Sequence, residues 1–363
     1  MKKKESLLYI SELSLPNESA QTVQTLKMCS AFSKNIKTDI ILFNSSENFK
    51  ELKKKYLLKN NFKVFSAFST LKNLNFINRV IFFFIIKRNI LKNNYKFIFT
   101  RSVLISILLS IFKYKNILEI HLPNTGLTKY LFLFYKIIFK NKYQKFILIN
   151  KYLNKIFKFP KEKFLVLDTG VDLSDFKISS KLKKYSCVYT GSFFKGKGFE
   201  NIYRIAKKIP DIKFHAYGEK KFLNIAYKKN KLKNLNIHNF VNYNKIPKIL
   251  SQHMICLLPY QKKVHIKSNT VTAEKFMSPI KLMEYMAAKK IIIASKLQAY
   301  NHILKDKKNC FLISTQDIDQ WVLKIKFVIK NYKKLNYLKN NAYKTAEKYT
   351  IDKRVKKIIS FYD

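Results

Sequence analysis

Short apolar runs that end in polar residues, each followed by a helical pattern, recur along this chain and constrain its fold more than any other feature. The first is 7–10, followed by a loop at 14–20 and a helical pattern at 21–32 with Val23, Leu26 and Ala31 near one face. Runs at 39–43, 62–65, 97–100, 117–120, 146–149 and 164–167 continue the series. Strands that alternate with helices make βαβ units and a parallel sheet. A second series starts at 186–190 and continues at 212–217, 237–241, 254–258 and 291–294, with helices at 200–208 and 282–288. From Asp317 onward the pattern is helical and basic. The fold class read from this is α/β, two Rossmann-like domains in tandem, with a boundary in 170–185.

Glycine usage singles out the start of the second series. The chain has six glycines, and five of them (Gly170, Gly191, Gly196, Gly198 and Gly218) fall between 170 and 218. Where glycine is so scarce, clustering implies backbone conformations or close approaches that other residues cannot supply. The four cysteines are widely spaced and mostly inside apolar runs, which fits reduced core residues and excludes a disulfide scaffold. Lys+Arg number 72 against 22 Asp+Glu, a net charge of +50 that favours polyanionic company. The excess is mostly Lys in an Asn- and Ile-rich chain, so compositional drift competes with function as its origin. No nucleic-acid module is recognisable, and no specific nucleic acid is expected. No apolar run reaches the ~20 residues of a membrane-spanning helix, and no signal peptide is evident, so a cytoplasmic location is expected.

Three segments hold candidate chemistry. The loop Gly191-Ser192-Phe193-Phe194-Lys195-Gly196-Lys197-Gly198 follows a strand and opens a helix, the setting for an anion site. The run from Ser278 through Pro279, Ile280 and Lys281 to Glu284 reads as a helix start, with Ser278 as its N-cap and Lys281 and Glu284 on one face. Glu119-Ile120-His121-Leu122-Pro123 places a histidine after an apolar run, where doubly wound sheets bind ligands and where a histidine can exchange a proton with a hydroxyl. Each of the three also has a plain structural reading: a tight turn, a surface ion pair and a structural histidine. The other histidines lack metal-ligand spacing, so no metal site is expected.

In this order the blocks resemble the retaining glycosyltransferases of family 4, which have a GT-B fold of two Rossmann-like domains facing each other across a cleft. The resemblance runs through most of the chain. It is carried by Val188-Tyr189-Thr190-Gly191 with Lys197-Gly198, by 214–218, by 239–258 leading to Pro259-Tyr260, and by SPIKLMEYMAAKKIIIAS at 278–295. In the first half PNESAQTVQTLKMCSAF (16–32), Phe99-Thr100-Arg101 and EIHLP match a subgroup, and 167–172 resembles the interdomain segment.

The resemblance implies an acceptor-binding domain at 1–178, to which a C-terminal helix within 346–363 returns, and a nucleotide-sugar domain at 179–345. It implies transfer of a sugar from an NDP-sugar, such as a UDP- or GDP-sugar, to a glycan or polyprenyl-linked glycan in surface polysaccharide or cell-envelope synthesis. No cofactor and no metal are implied. Lys197 would neutralise the leaving diphosphate, Glu284 would hold the ribose, and His121 would lie near the transferred sugar or the acceptor hydroxyl. The donor site would also include Ser19, Ala20, Gly191, Lys195, Gly218, Tyr260, Ser278, Pro279 and backbone N–H groups at Ile280 and Lys281. Family members often have Arg directly after the first-loop glycine, where this chain has Ser192 and where Lys195 is a candidate substitute. A second Glu often precedes the helix one by eight residues; here Phe276 stands there and Glu274 is close by. The stretches 76–95 and 127–143 form aromatic-aliphatic helical patterns edged with Lys and Arg. They read either as core helices with basic outer faces or as elements that lie on an anionic membrane. The rival to the enzyme reading is a non-catalytic basic binding protein on the same fold.

Overall fold

The computed structural model describes residues 5–17, 19–69, 75–224, 227, 231–266 and 269–362. The chain divides into two compact units, 1–168 with 351–363, and 169–350.

The first unit is built on seven strands, β1 Ser6–Leu15, β2 Lys37–Ser45, β3 Lys63–Phe68, β4 Phe97–Thr100, β5 Asn116–Ile120, β6 Gln144–Leu148 and β7 Phe164–Val166. They pair in the order β3-β2-β1-β4-β5-β6-β7, all parallel. β4 and β5 are buried along their whole length, as parallel strands covered on both faces must be. β1 runs five residues beyond the expected apolar stretch. A register irregularity between Ser11 and Ser14 lets it continue past its apolar part. Helix Ile351–Tyr362 belongs to this unit, where Arg354 touches Met28 of helix Ala20–Phe32 and Lys34 meets Asp352 at 2.9 Å.

The second unit holds β8 Ser186–Thr190, β9 Lys213–Tyr217, β10 Leu235–His238, β11 Ile255–Leu258, the strands β12 Lys263–Ile266 and β13 Asn269–Thr272, then β14 Ile291–Ser295 and β15 Phe311–Ile313. The main sheet runs β10-β9-β8-β11-β14-β15, again all parallel, and β12 and β13 form a separate antiparallel pair. The expected strand at 237–241 lies two to three residues earlier, because Leu235 is the residue that pairs with Phe214 of β9 and packs into the core. Cys187, Cys256, Cys310 and, in the first unit, Cys29 are free and buried, and Trp321 is fully buried with its indole N–H donated to the Ser314 carbonyl.

The division falls at 168/169, about ten residues before the boundary placed at 178. Residues 169–176 are tied into the second unit. Thr169 N–H donates to Ser278 Oγ at 2.9 Å, Val171 bridges to Thr350, and Val171 and Phe176 pack with Met283 and Tyr285.

In each sheet the order reverses beside the first strand, between β1 and β4 and between β8 and β11. At such a reversal the connections leave on opposite faces and open a crevice beyond the carboxyl ends of the strands. Both candidate regions, His121 with Arg101 and the Gly191 loop with Tyr260, lie just past such ends.

Candidate functional site

In the second unit the loop after β8 is shaped by its glycines. Gly191 has φ +138°, and a Cβ there would stand 2.2 Å from Lys281 Nζ. Gly198 has φ +101°, starts helix Phe199–Lys208, and would drive a Cβ to 2.4 Å from the Pro259 carbonyl oxygen. Both positions combine a backbone conformation that L residues rarely adopt with a close approach. The loop is pinned further by Gly191 N–H to Tyr217 O, Gln261 N–H to Gly196 O, and His265 N–H to Lys195 O, each 2.9 Å. Gly218 packs directly on the Gly191 carbonyl.

Two lysines converge beside this loop. Lys281 Nζ lies 3.9 Å from the centre of the Tyr189 ring and 5.2 Å from that of Tyr260, and Lys197 Nζ is also 5.2 Å from the Tyr260 ring. Both rings are buried. The Lys281 ammonium is itself buried and has no hydrogen-bond partner among the described residues. Burial, then the charge of Lys197, hold Lys281 well below the usual lysine range, although Glu284 works the other way. Burial pulls Lys197 down to about 8. A buried cation without hydrogen-bond acceptors is costly unless an anion approaches it. The pair is a candidate anion site, with the ring faces holding the cations in place.

The supports of this pair are rigid. Tyr285 Oη lies 3.0 Å from Thr190 N–H and accepts its hydrogen bond, and Tyr189 Oη donates to Ser192 O at 2.8 Å. Helix Ile280–Ala287 carries Lys281 and, one turn on, the buried Glu284. Its cap position is Pro279, and no side chain caps it. Ser278, expected as the cap, instead accepts from Thr169 N–H, with the two hydroxyls 3.0 Å apart. The first-turn N–H groups of this helix are therefore not answered by a side chain, which leaves its positive end free of a side-chain cap. Glu284 lies in a polar neighbourhood with Tyr243, whose hydroxyl donates to Asp175 at 3.1 Å, and with Tyr260.

Sequence reasoning assigned Lys281 only through its backbone; the structure brings its side chain against Gly191. Lys195, the candidate substitute for the family's arginine, is exposed and contributes its carbonyl to the loop instead. The sequence signal that was available was the i, i+3 relation of Lys281 and Glu284, which puts both on one face of the helix. The side chain of Glu274 lies outside the described residues.

In the first unit Ser19 caps helix Ala20–Phe32, its Oγ accepting from Thr22 N–H at 3.2 Å, so Ala20 is the first helical residue. Glu12, on the extension of β1, accepts from Ser102 Oγ at 2.7 Å and lies 3.4 Å from Arg79. His121 follows β5 and bonds through Nε2 to Glu119 Oε1. Burial and then Arg101 lower His121 to about 4, against the opposing pull of Glu119. At neutral pH the ring is uncharged.

Two units of this build, each a parallel sheet with order reversal, are the building blocks of the GT-B fold. Residues 171–345 match the family model described as Glycosyl transferases group 1. Solved structures agree over the whole chain. A glycosyltransferase from Rickettsia africae superposes with TM-score 0.74 at 14% identity, covering 99% of this chain and 98% of that one. Alr3699/HepE from Anabaena, solved with UDP-glucose, gives TM-score 0.74 at 12% identity, covering 98% and 99%. A sucrose-phosphate synthase from Thermosynechococcus elongatus gives 0.77 at 12% identity, covering 99% and 98%. At these identities the likeness establishes the fold. No curated protein matches the sequence.

Proposed function

We propose that this chain is a retaining, metal-independent glycosyltransferase that moves a sugar from an NDP-sugar to a glycan or polyprenyl-linked glycan acceptor in surface-polysaccharide or envelope assembly. The observation that carries the reading is the pair Lys197 and Lys281, buried against Tyr189 and Tyr260 beside Gly191, with the Lys281 ammonium lacking a hydrogen-bond partner among the described residues. A leaving diphosphate gains charge as the C1–O bond to it breaks. Preorganised cations and N–H donors at that point lower the barrier selectively. The two ammonium groups and the uncapped start of helix Ile280–Ala287 supply that charge, so the reading needs no metal. Glu284, one turn further along, is placed to accept from ribose hydroxyls, as acidic residues do in other nucleotide-binding α/β folds.

In the retaining reading the acceptor hydroxyl attacks C1 on the face the diphosphate leaves. The C1–O bond to the acceptor forms as the C1–O bond to diphosphate breaks, and the hydroxyl proton passes to a departing phosphate oxygen. No protein nucleophile is assigned. UDP-glucose is the first donor to try, since Alr3699/HepE was solved with it.

Membrane association at the acceptor side belongs to the same reading. Helix Phe76–Asn93 buries Phe82, Phe83, Ile86 and Ile90 but exposes Ile77 and Phe84, and helix Gly126–Phe139 exposes Tyr130, Phe134 and Ile137. The buried residues fit the core-helix reading, and the exposed apolar residues are those the membrane reading would use. Among the described residues no helix is long and apolar enough to cross a membrane. Apolar faces edged by lysines suit the surface of an anionic bilayer.

The test is calorimetric titration with UDP, GDP, ADP, CMP and inorganic diphosphate at constant ionic strength. Preference for one nucleotide, weakened at least tenfold by Lys281→Met and by Glu284→Ala, supports the assignment. Equal binding of every polyanion, with a steep salt dependence, would replace it with the binding-protein reading.

A further inference from the structure

Glu119 and Arg354 form a buried pair to which donor binding assigns nothing. Glu119 lies on β5, every residue of which is buried. Its Oε2 is 3.0 Å from Arg354 Nη2, and the two side chains are 1% and 3% exposed. This contact is an ion pair without the alignment of a hydrogen bond. Arg354 comes from helix Ile351–Tyr362, far along the chain, and its guanidinium is held from other sides. Nε donates to Asp168 O at 2.9 Å, Nη2 to Leu167 O at 3.4 Å, and Nη1 approaches Met28 Sδ at 3.6 Å. The other carboxylate oxygen of Glu119, Oε1, takes Nε2 of His121. The His121 side chain is 22% exposed, so the ring is not fully enclosed.

This chain of contacts decides which ring nitrogen does what. A neutral imidazole has one N–H and one lone pair, and the hydrogen bond made by one nitrogen fixes the other's role. With Nε2–H donated to a carboxylate that cannot itself donate, Nδ1 is left as the acceptor. Arg101 and Arg354 both disfavour the imidazolium form, which would turn Nδ1 into a donor.

We propose that Glu119 and Arg354 are positioning residues that lock His121 as the Nε2–H tautomer, so that its Nδ1 accepts a hydrogen bond from a ligand hydroxyl. The identity of that ligand as a sugar rests on the glycosyltransferase reading; the lock itself does not. Arg354 is needed because it keeps Glu119 ionised. Burial alone raises this carboxyl, but Arg354 first, then His121 and Arg101, outweigh burial and hold it well below the usual range. A protonated Glu119 could donate to Nε2 and reverse the tautomer.

The test uses full-length protein labelled with ¹⁵N-histidine, with the His121 resonances assigned by loss in His121→Gln. The two ring nitrogens of a neutral histidine resonate far apart, so the tautomer is read directly. In wild type a single Nε2–H form is expected from pH 8 to pH 6. In Glu119→Gln, whose amide can either donate or accept, both tautomers are expected. In Arg354→Lys, which keeps the charge but not the fork, partial loss of the single form is expected. Arg354→Met with Glu119→Gln removes both buried charges together, so it keeps the test open if a single variant does not fold; it too should show both tautomers. An Nδ1–H form in wild type, or an unchanged Nε2–H form in every variant, overturns the proposal. No substrate enters this measurement. Loss of donor turnover in His121→Gln separately tests the glycosyltransferase reading.

Discussion

Raising the pH above 8 should weaken nucleotide binding in a way that identifies Lys197. Burial lowers this lysine from 10.5 to about 8, which is about 3 kcal/mol held against its charged form in the free protein. A phosphate charge ~4 Å away at an effective dielectric of ~20 is worth about 4 kcal/mol. That exceeds the burial cost, so the bound complex keeps the ammonium. The sign follows. Below pH 8 both free and bound Lys197 are protonated, and affinity is insensitive to this group. Between about 8 and the higher bound value, only the bound form holds the proton, and affinity falls. At pH 9 about one free molecule in ten is protonated, so the dissociation constant rises about tenfold, and by about tenfold again per further pH unit. Nucleotide phosphates, with a second pKa near 6, are fully ionised throughout this range and contribute no slope. Lys281, also depressed, adds a slope of its own. The distinguishing sign is therefore a steepening near pH 8. The assay is calorimetry with the preferred nucleotide from pH 7 to 9.5, in buffers of different ionisation heat so that proton uptake is counted. Lys197→Arg keeps a cation that does not titrate, and the steepening should vanish. A dissociation constant without a break near pH 8, or a break that survives Lys197→Arg, would refute the assignment of a desolvated Lys197 to the diphosphate.

Gly191→Ala should weaken nucleotide binding by at least tenfold and cost about 1–3 kcal/mol of stability, since the methyl meets Lys281 Nζ at a φ of +138°; calorimetry and urea unfolding read the two effects. Acid should destabilise both units, the first through His121, held at about 4, and the second through His253. His253 is fully buried, and burial, then His215, hold it at about 3, so it stays neutral when folded but protonates when unfolded. Its contribution is present above pH 6.5 and is lost as pH falls, about 2 kcal/mol by pH 5, as read by urea unfolding on the fluorescence of the single tryptophan, Trp321, of the same unit. Replacing Phe134 and Ile137 by Glu should abolish co-sedimentation with anionic vesicles and leave nucleotide affinity unchanged, because both are exposed residues of the first unit.

The strands and their alternation were legible because parallel strands covered on both faces leave mostly apolar runs, and β4, β5, β8, β11 and β14 are each buried along their whole length. The hairpin β12–β13 was not, because the sequence at 263–272 is short, polar and basic. Ser278 looked like a cap on local grounds, since a serine before a proline at a helix start is a common signature. Its hydroxyl went to Thr169, more than a hundred residues away in sequence, and local patterns carry no information about such a partner. The same limit hid Arg354, whose pairing with Glu119 depends on where the last helix docks. Glu119 nevertheless left a trace: an acidic residue inside a fully buried strand, in a chain with only 22 carboxylates, needs a partner.

Net charge could not locate the site, because 72 cations spread along the chain offer an anion no preferred address. Desolvation does. Burial lowers Lys197, Lys281, Lys290 and Lys339, and two of these show different uses of a buried ammonium. Lys290 is buried but donates to the Ser251 carbonyl at 2.7 Å, so its proton is already used in holding the fold. The Lys281 ammonium is buried beside two aromatic rings and a glycine that cannot be replaced without striking it. A fold that only needed to be stable would gain by putting an apolar side chain at that position. The cost of keeping an ammonium there is understandable if a polyanion arrives to take its hydrogen bonds, and the loop that leaves room for it is the one in which the chain concentrates its few glycines.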